Sequence, residues 1–524
     1  MATHVFEKSA GMDMADLADE IVSALTEQFP VCLASDEFHF FPQARAQDQD
    51  WSRWDDFSPR ALADIVDRLS GWGRQLERLQ STTLSVHQAM DADMLHRVVR
   101  TLGEQLARAG VVDRQPTFYL TIVGIGLAEA YEAGPQQFTA RLQHLPGFLD
   151  QARHNLIRLP RLFRDLGSEM LARQHAWIAS LSVAERHRTP IDRAYHRLND
   201  HLRQADVCEN FLPDLAFYAR IATHHMGCLL DPDDIADELA AEIAETRSIL
   251  EQSAAAMSPG RSWQDVVNNL PRPTIPSGGI GDVYQSIISE LAQHCMQQGV
   301  VSETSVDQCP VAVEPIPDYM RTVRSNAAFS MPPQHPPQGG TFYILNSGRS
   351  DAIPAEYQLL AAHETYPGHH LLDTSRWNHA RPVRRHIEFP IFYEGWASFA
   401  EELMFDTGFF SGPTDQMLMA KRRFWRAIRG QVDFDIHMRR RTPAEAVADL
   451  AAEGMPSINA RAMVQRYCLK PGYQLSYTMG RRRFLRLYED YHSNDNDPVG
   501  FVRKVLAQGE IGFHHLKRKL QEGE

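Results

Sequence analysis

Apolar residues recur at helical spacing along most of this chain. In DPDDIADELAAEIAETRSILEQSA (Asp231 to Ala254), Ile235, Leu239, Ile243 and Ile249–Leu250 fall near a 3.6-residue period. Asp231 or Asp233 suits the N-cap, and acidic side chains suit the first turn. Thr117 to Ala133 and Phe138 to Leu166 follow the same rhythm, so the chain from Asp13 to about Ser258 reads as helical. No repeat of solenoid length is present.

Between about Ser258 and Gly348 the pattern breaks. PRPTIPSGGIGD and SMPPQHPPQGG are rich in proline and glycine, which end helices and mark loops. GGIG at 278–281 has no strand before it and no Gly-Lys-Ser/Thr after it, so it reads as a loop and not as a phosphate cradle. TFYILN (Thr341 to Asn346) is β-branched and aromatic, and is the best strand candidate. Helical spacing then resumes almost to the end. The expected fold is mainly α: a large helical, two-lobed body with a small β insert lining a cleft. Its regions are 1–258 (N-terminal, helical) and 259–524 (carrying the chemistry), one continuous fold.

Composition narrows the function. The chain has 524 residues, 43% hydrophobic and 23% charged, as in an ordinary globular protein. Its net charge of −14 argues against nucleic-acid binding, which needs a basic footprint. No apolar run is long enough to span a membrane, and the first residues lack the pattern of a secretory signal. The six cysteines (Cys32, Cys208, Cys228, Cys295, Cys309, Cys468) form no CxxC pair, which points to reduced thiols in a cytoplasm.

The chemistry gathers in AEYQLLAAHETYPGHHLLD. A hydrolytic zinc site needs two or three neutral His or carboxylate ligands, one open position and a nearby carboxylate base. HExxH places its histidines four residues apart on one helical face, but here that position is Pro367. On an ideal helix His370 shares the face of His363, while His369 lies about 120° away. Pro367 and Gly368 permit a kink that swings His369 inward, so spacing leaves both histidines open. FPIFYEGWASFAEE (389–402) reads as a helix whose Glu394 stands among aromatic and small residues, where a buried carboxylate needs a partner such as a metal. Glu401, seven residues on, suits a role orienting a ligand imidazole.

HETYPGHH followed by EGWASFAEE resembles the HExxPGHH…EGWAxYAE pair of the domain of unknown function 885 family, predicted bacterial zinc peptidases related to the helical gluzincins. The resemblance implies His363, His369 and Glu394 as zinc ligands, with His370 the fallback for His369, and Glu364 as the base that activates water. RAIRGQVDFDIH and PGYQLSYTMG resemble two further blocks of the family, and place Arg426, Arg429, Asp433, His437, Tyr477 and Gly480. Tyr477 and His437 are assigned to stabilising the oxyanion. Three positions depart from the family: Leu372 and Tyr473 replace glutamines, and Asp435 replaces a glycine. None is a proposed ligand, but all point to an unusual substrate.

The C-terminal third carries basic clusters, of which Arg481 and Arg429 are candidates to grip a substrate carboxylate. Thr341 to Asn346, with Tyr343, is a candidate edge strand for extended substrate. The leading expectation is a zinc-dependent hydrolase of a peptide or small amide, carboxypeptidase-like, with a homodimer left open. Two alternatives stand beside it: a metal-dependent tailoring enzyme acting on a small metabolite, and a helical metal-binding protein without catalysis.

Overall fold

The computed structural model describes residues 14–46, 48–317, 327–345, 353–495 and 497–521. Asp13 and Asn346, which bound two of the predicted elements, lie outside them. The architecture is mainly α, with small sheets. The predicted helices appear at Pro116–Ala133 and Pro232–Met257, each starting on a proline, whose missing N–H costs nothing in a first turn. The stretch 138–166 is two helices, Pro135–Asn155 and Arg161–Ser180. Pro160 separates them, because it cannot donate into a helical ladder and it holds Leu159 extended. GGIG is a turn: Gly279, at φ 97°, caps the helix Ile280–Gln297.

One hydrophobic core runs from Met14 to Leu520 and crosses residue 258 without a break. The Pro232–Met257 helix sends Glu242 to meet Arg423, Arg481 and Arg482, on the helices Pro413–His437 and Leu475–Asp495. No described helix is long and apolar enough to cross a membrane.

Among the described residues, five short strands form two sheets. β1 (Leu159–Pro160) and β2 (Val207–Cys208) pair in parallel. β3 (Val311–Pro315), β4 (Ala328–Ser330) and β5 (Gly340–Ile344) form the second sheet, in the order β3-β5-β4. The predicted strand is therefore present, but it is the centre of its sheet and not its edge. β3 pairs with it in parallel and β4 antiparallel, so its main chain is engaged on both sides. Strand addition to Gly340–Ile344 is closed for that reason, and Tyr343 sits buried opposite Glu314 and Ala328.

The helix Pro390–Asp406 is buried on nearly every side and runs through the core. It crosses Leu475–Asp495 at a contact of bare backbone. A Cβ on Gly395 would lie 2.6 Å from the Gly480 carbonyl carbon, and one on Gly480 would lie 2.1 Å from Ile391 O. No side chain larger than hydrogen fits at either position without moving a helix.

Candidate functional site

Local chain breaks bring distant positions of the motif together. The helix Tyr357–Glu364 ends at Glu364, and a second begins at His369 and runs to Asn378. Between them Gly368 passes so close to the preceding turn that a Cβ there would stand 1.8 Å from His363 O. The Gly368 amide donates to Ala362 O at 3.1 Å, and the Trp396 indole donates to Pro367 O at 3.0 Å. This tight break turns His369 inward and His370 away. His370 Nε2 lies 2.9 Å from Cys309 O and 3.1 Å from the Tyr366 hydroxyl, and burial lowers its imidazole to about 4. His369, not His370, therefore joins the cluster.

His363 Nε2 is 3.6 Å and His369 Nε2 3.5 Å from Glu394 Oε2, and all three residues are buried. Atoms held about 2.0–2.1 Å from a tetrahedral zinc ion stand roughly 3.3 Å apart, so these separations suit one small cation. A second sign of fit is that Glu394 Oε2 is buried and takes no hydrogen bond. Leaving a carboxylate oxygen in that state is costly unless a cation meets it. Burial pushes the Glu394 carboxyl up, but the facing imidazoles outweigh it and hold the group well below the usual carboxylate range.

Each ligand has a support. His363 Nδ1 lies 3.0 Å from Glu401 Oε1 and 3.1 Å from Arg426 Nη2, and Nε2 is the atom that faces Glu394. Arg422 grips Glu401 with two bonds of 2.8 Å, and Arg426 adds a third. His369 stacks on Tyr393 at 4.0 Å, and the Tyr393 hydroxyl donates to Asp373 Oδ2 at 3.1 Å. Tyr473 donates to Glu394 Oε1 at 2.8 Å, and the Tyr477 ring packs against Tyr473 with 6.1 Å between centroids. Burial and then the Glu394 charge push both phenols well above their usual value, so both remain donors at neutral pH.

Glu364 is half-buried beside this group, and Oε2 accepts the Phe329 amide of β4 at 3.0 Å. Burial raises its carboxyl, and the Glu394 charge adds to that against His369. A base poised upward in this way suits proton transfer near neutral pH. Arg429 lies 5.1 Å over the Tyr477 ring with its Nε buried and unbonded.

The sheet position of Tyr343 gives it no open strand edge to offer. Two further expectations are corrected. His437 is fully buried, 2.9 Å from Asp433 Oδ1 and stacked on Tyr218, so it has no surface to present to a substrate. Its part is indirect: Asp433 accepts the Gly472 and Gln474 amides at 3.0 Å each and so fixes the turn that carries Tyr473. Arg481 is buried and committed to Glu242 and Glu402, so it ties helices together and holds no substrate. Sequence reading missed Tyr393 and the role of Tyr473, although Tyr473 was already visible as a departure inside a matched block.

The family model described as "Bacterial protein of unknown function (DUF885)" matches residues 43–520. The chain belongs to this family. A "putative lipoprotein of unknown function" from Shewanella oneidensis has the same fold, with TM-score 0.74 and 14% identity over 98% of this chain and 100% of its own. A "putative lipoprotein" from Colwellia psychrerythraea superposes with TM-score 0.77 at 16% identity, over 97% and 98% of the two chains. The lipoprotein description belongs to those two proteins. A "putative oligoendopeptidase F" from Bacillus anthracis reaches a TM-score of 0.35 at 11% identity, covering 87% and 95%, a likeness that carries no functional weight. No curated protein sequence matches the chain.

Proposed function

We propose that this family member is a metal-dependent hydrolase, with zinc at His363, His369 and Glu394, that cleaves a peptide or small amide. The observation that carries the reading is the convergence of two imidazole Nε2 atoms on an otherwise unbonded buried Glu394 oxygen, with Glu364 beside them. When bound, zinc would polarise the scissile carbonyl and acidify a water molecule. Glu364 takes the proton of the attacking water on its carboxylate and later returns it to the leaving amine. Tyr477, a neutral donor at the metal centre, hydrogen-bonds the oxyanion as it develops. Arg429 makes no ion pair with a described carboxylate and would hold the free carboxylate of a short peptide, which favours a carboxypeptidase-like enzyme. The compartment proposed is the cytoplasm, on the strength of six free cysteines, five of them buried.

Metal analysis of the purified protein, paired with a panel of dipeptides and N-blocked peptides, tests this. One zinc per chain, lost in His363→Ala, is the expected result. Metal content unchanged in that variant removes the site. Zinc present with no peptide cleaved moves the reading to a tailoring enzyme that acts on a small metabolite.

A further inference from the structure

A second cavity, separate from the metal centre, has the chemistry of an anion site. It encloses about 290 Å³, at the small end of ligand pockets (roughly 300–1,000 Å³). Its walls come from the helix Val86–Arg108, the segment 220–229, the start of the Glu394 helix, Arg483 and the segment 511–514. It shares no described lining residue with the metal centre.

Four arginines line it against a single acidic residue, Asp93. Arg100 and Arg220 are already committed, since they share the one carboxylate of Glu104. Arg97 and Arg483 are not: neither makes an ion pair with a described carboxylate. Each lies instead on an aromatic face, Arg97 at 3.9 Å over Phe389 and Arg483 at 5.5 Å over Phe513. Burial lowers Arg97, Asp93 opposes that, and the charge of Arg483 lowers it further, so the two guanidiniums feel one another across the space. Two like charges facing one partly enclosed cavity, with only Asp93 of its lining set against them, is the arrangement an anion completes.

A cation is the competing occupant, because Asp93, His514 and His515 have donor atoms close enough together to hold one. The field argues against it. After burial, the charge of Arg220 lowers His224, and His515 and Arg518 act the same way on His514 against Asp93. The cluster offers a cation one negative charge, on Asp93, with the Arg97 charge acting on that same carboxylate.

We propose that this cavity binds a small anion, a phosphate ester or carboxylate with an apolar part, gripped by Arg97 and Arg483 and packed against Phe389 and Phe513. The charged group meets the two guanidiniums, and the apolar part lies on the ring faces. The site is independent of whether the metal centre is hydrolytic. Its occupant would press on Ile391 and Phe392, in the first turn of the helix that carries Glu394.

The test is calorimetric titration of the full-length protein with phenyl phosphate, benzoate and inorganic phosphate. Saturable 1:1 binding of a phenyl-bearing probe with a submillimolar Kd is expected, with inorganic phosphate weaker because it leaves the rings uncovered. Arg97→Gln with Arg483→Gln should weaken that binding at least about tenfold, while Arg429→Gln leaves it unchanged. Thr101→Trp fills the cavity from its wall without removing either guanidinium, and should block binding if the double variant fails to fold. The proposal is overturned if no probe binds saturably up to about 10 mM, if the folded double variant or Thr101→Trp binds like wild type, or if binding is lost in Arg429→Gln instead. A second zinc per chain that disappears in His514→Ala would also overturn it, by making the cavity a cation site.

Discussion

The Tyr473 hydroxyl meets Glu394 at Oε1, 2.8 Å away, leaving Oε2 to face His363 and His369. The bond divides the two carboxylate oxygens and leaves Oε2 alone toward the proposed metal. Tyr473→Phe should weaken zinc affinity about 10- to 100-fold without lowering Tm, as loss of a partner behind a ligand does. Competition with a metal chelator measures this. Unchanged affinity would leave Tyr473 as packing alone.

Replacing Glu364 by glutamine preserves its size and its bond to the Phe329 amide but removes the base. Turnover should fall by about 10²- to 10⁴-fold while zinc stays at one per chain. Full turnover with zinc retained would assign the proton transfer to another group.

Glu401 is fully buried between His363 and two arginines, which outweigh the effect of burial and keep its carboxyl well below the usual range. Glu401→Gln leaves the Arg422 and Arg426 charges without their counter-ion. A loss of about 3–5 kcal/mol in unfolding free energy is expected, together with weaker zinc binding, because His363 loses the carboxylate that lies beside its Nδ1. Denaturant titration and metal analysis on one preparation check both. A variant as stable as wild type would contradict the ion-pair account.

Arg429→Gln separates recognition from chemistry. KM for peptides with a free C-terminal carboxylate should rise on the order of tenfold or more, with little change for the C-terminally amidated forms. Equal effects on both forms would remove Arg429 from carboxylate binding.

Asp55 gives a test of stability away from the site. It is buried, Oδ1 accepts the Val31 and Cys32 amides, and Oδ2 has no partner. Burial raises its carboxyl from 3.8 to about 6, against the pull of those amides and Arg141. The folded protein therefore keeps a proton that the unfolded chain has released, and stability falls as pH rises through that window, then levels above it. Asp55→Asn should flatten this slope and be the more stable form at neutral pH, by at most about 3 kcal/mol. Urea midpoints across the window measure it, and parallel slopes in the two proteins would refute the assignment.

Local spacing carried the helical class, the strand at TFYILN and the set of candidate ligands. The choice of His369 over His370 was out of reach, because it depends on how closely Gly368 passes His363 O. Arg481 was misread for a related reason: its partners Glu242 and Glu402 lie 239 and 79 residues away, and no window of sequence joins them. The strand was found but not its place in the sheet, since β3 and β4 are short and only partly apolar. Tyr473 shows the opposite case, in which a departure from the family pattern marked a residue that touches the proposed ligand Glu394.

The bare contact between Gly395 and Gly480 bears on how mutational scans of this protein will look. Glu394 is the neighbour of one glycine, and Tyr477 lies one helical turn before the other. Alanine at either glycine would push the two helices apart and move the carboxylate relative to the phenol. A screen scored on activity alone would rank both positions with Glu364, although neither has a side chain to contribute. Scoring abundance or zinc retention alongside activity would sort residues that perform chemistry from those that set its spacing.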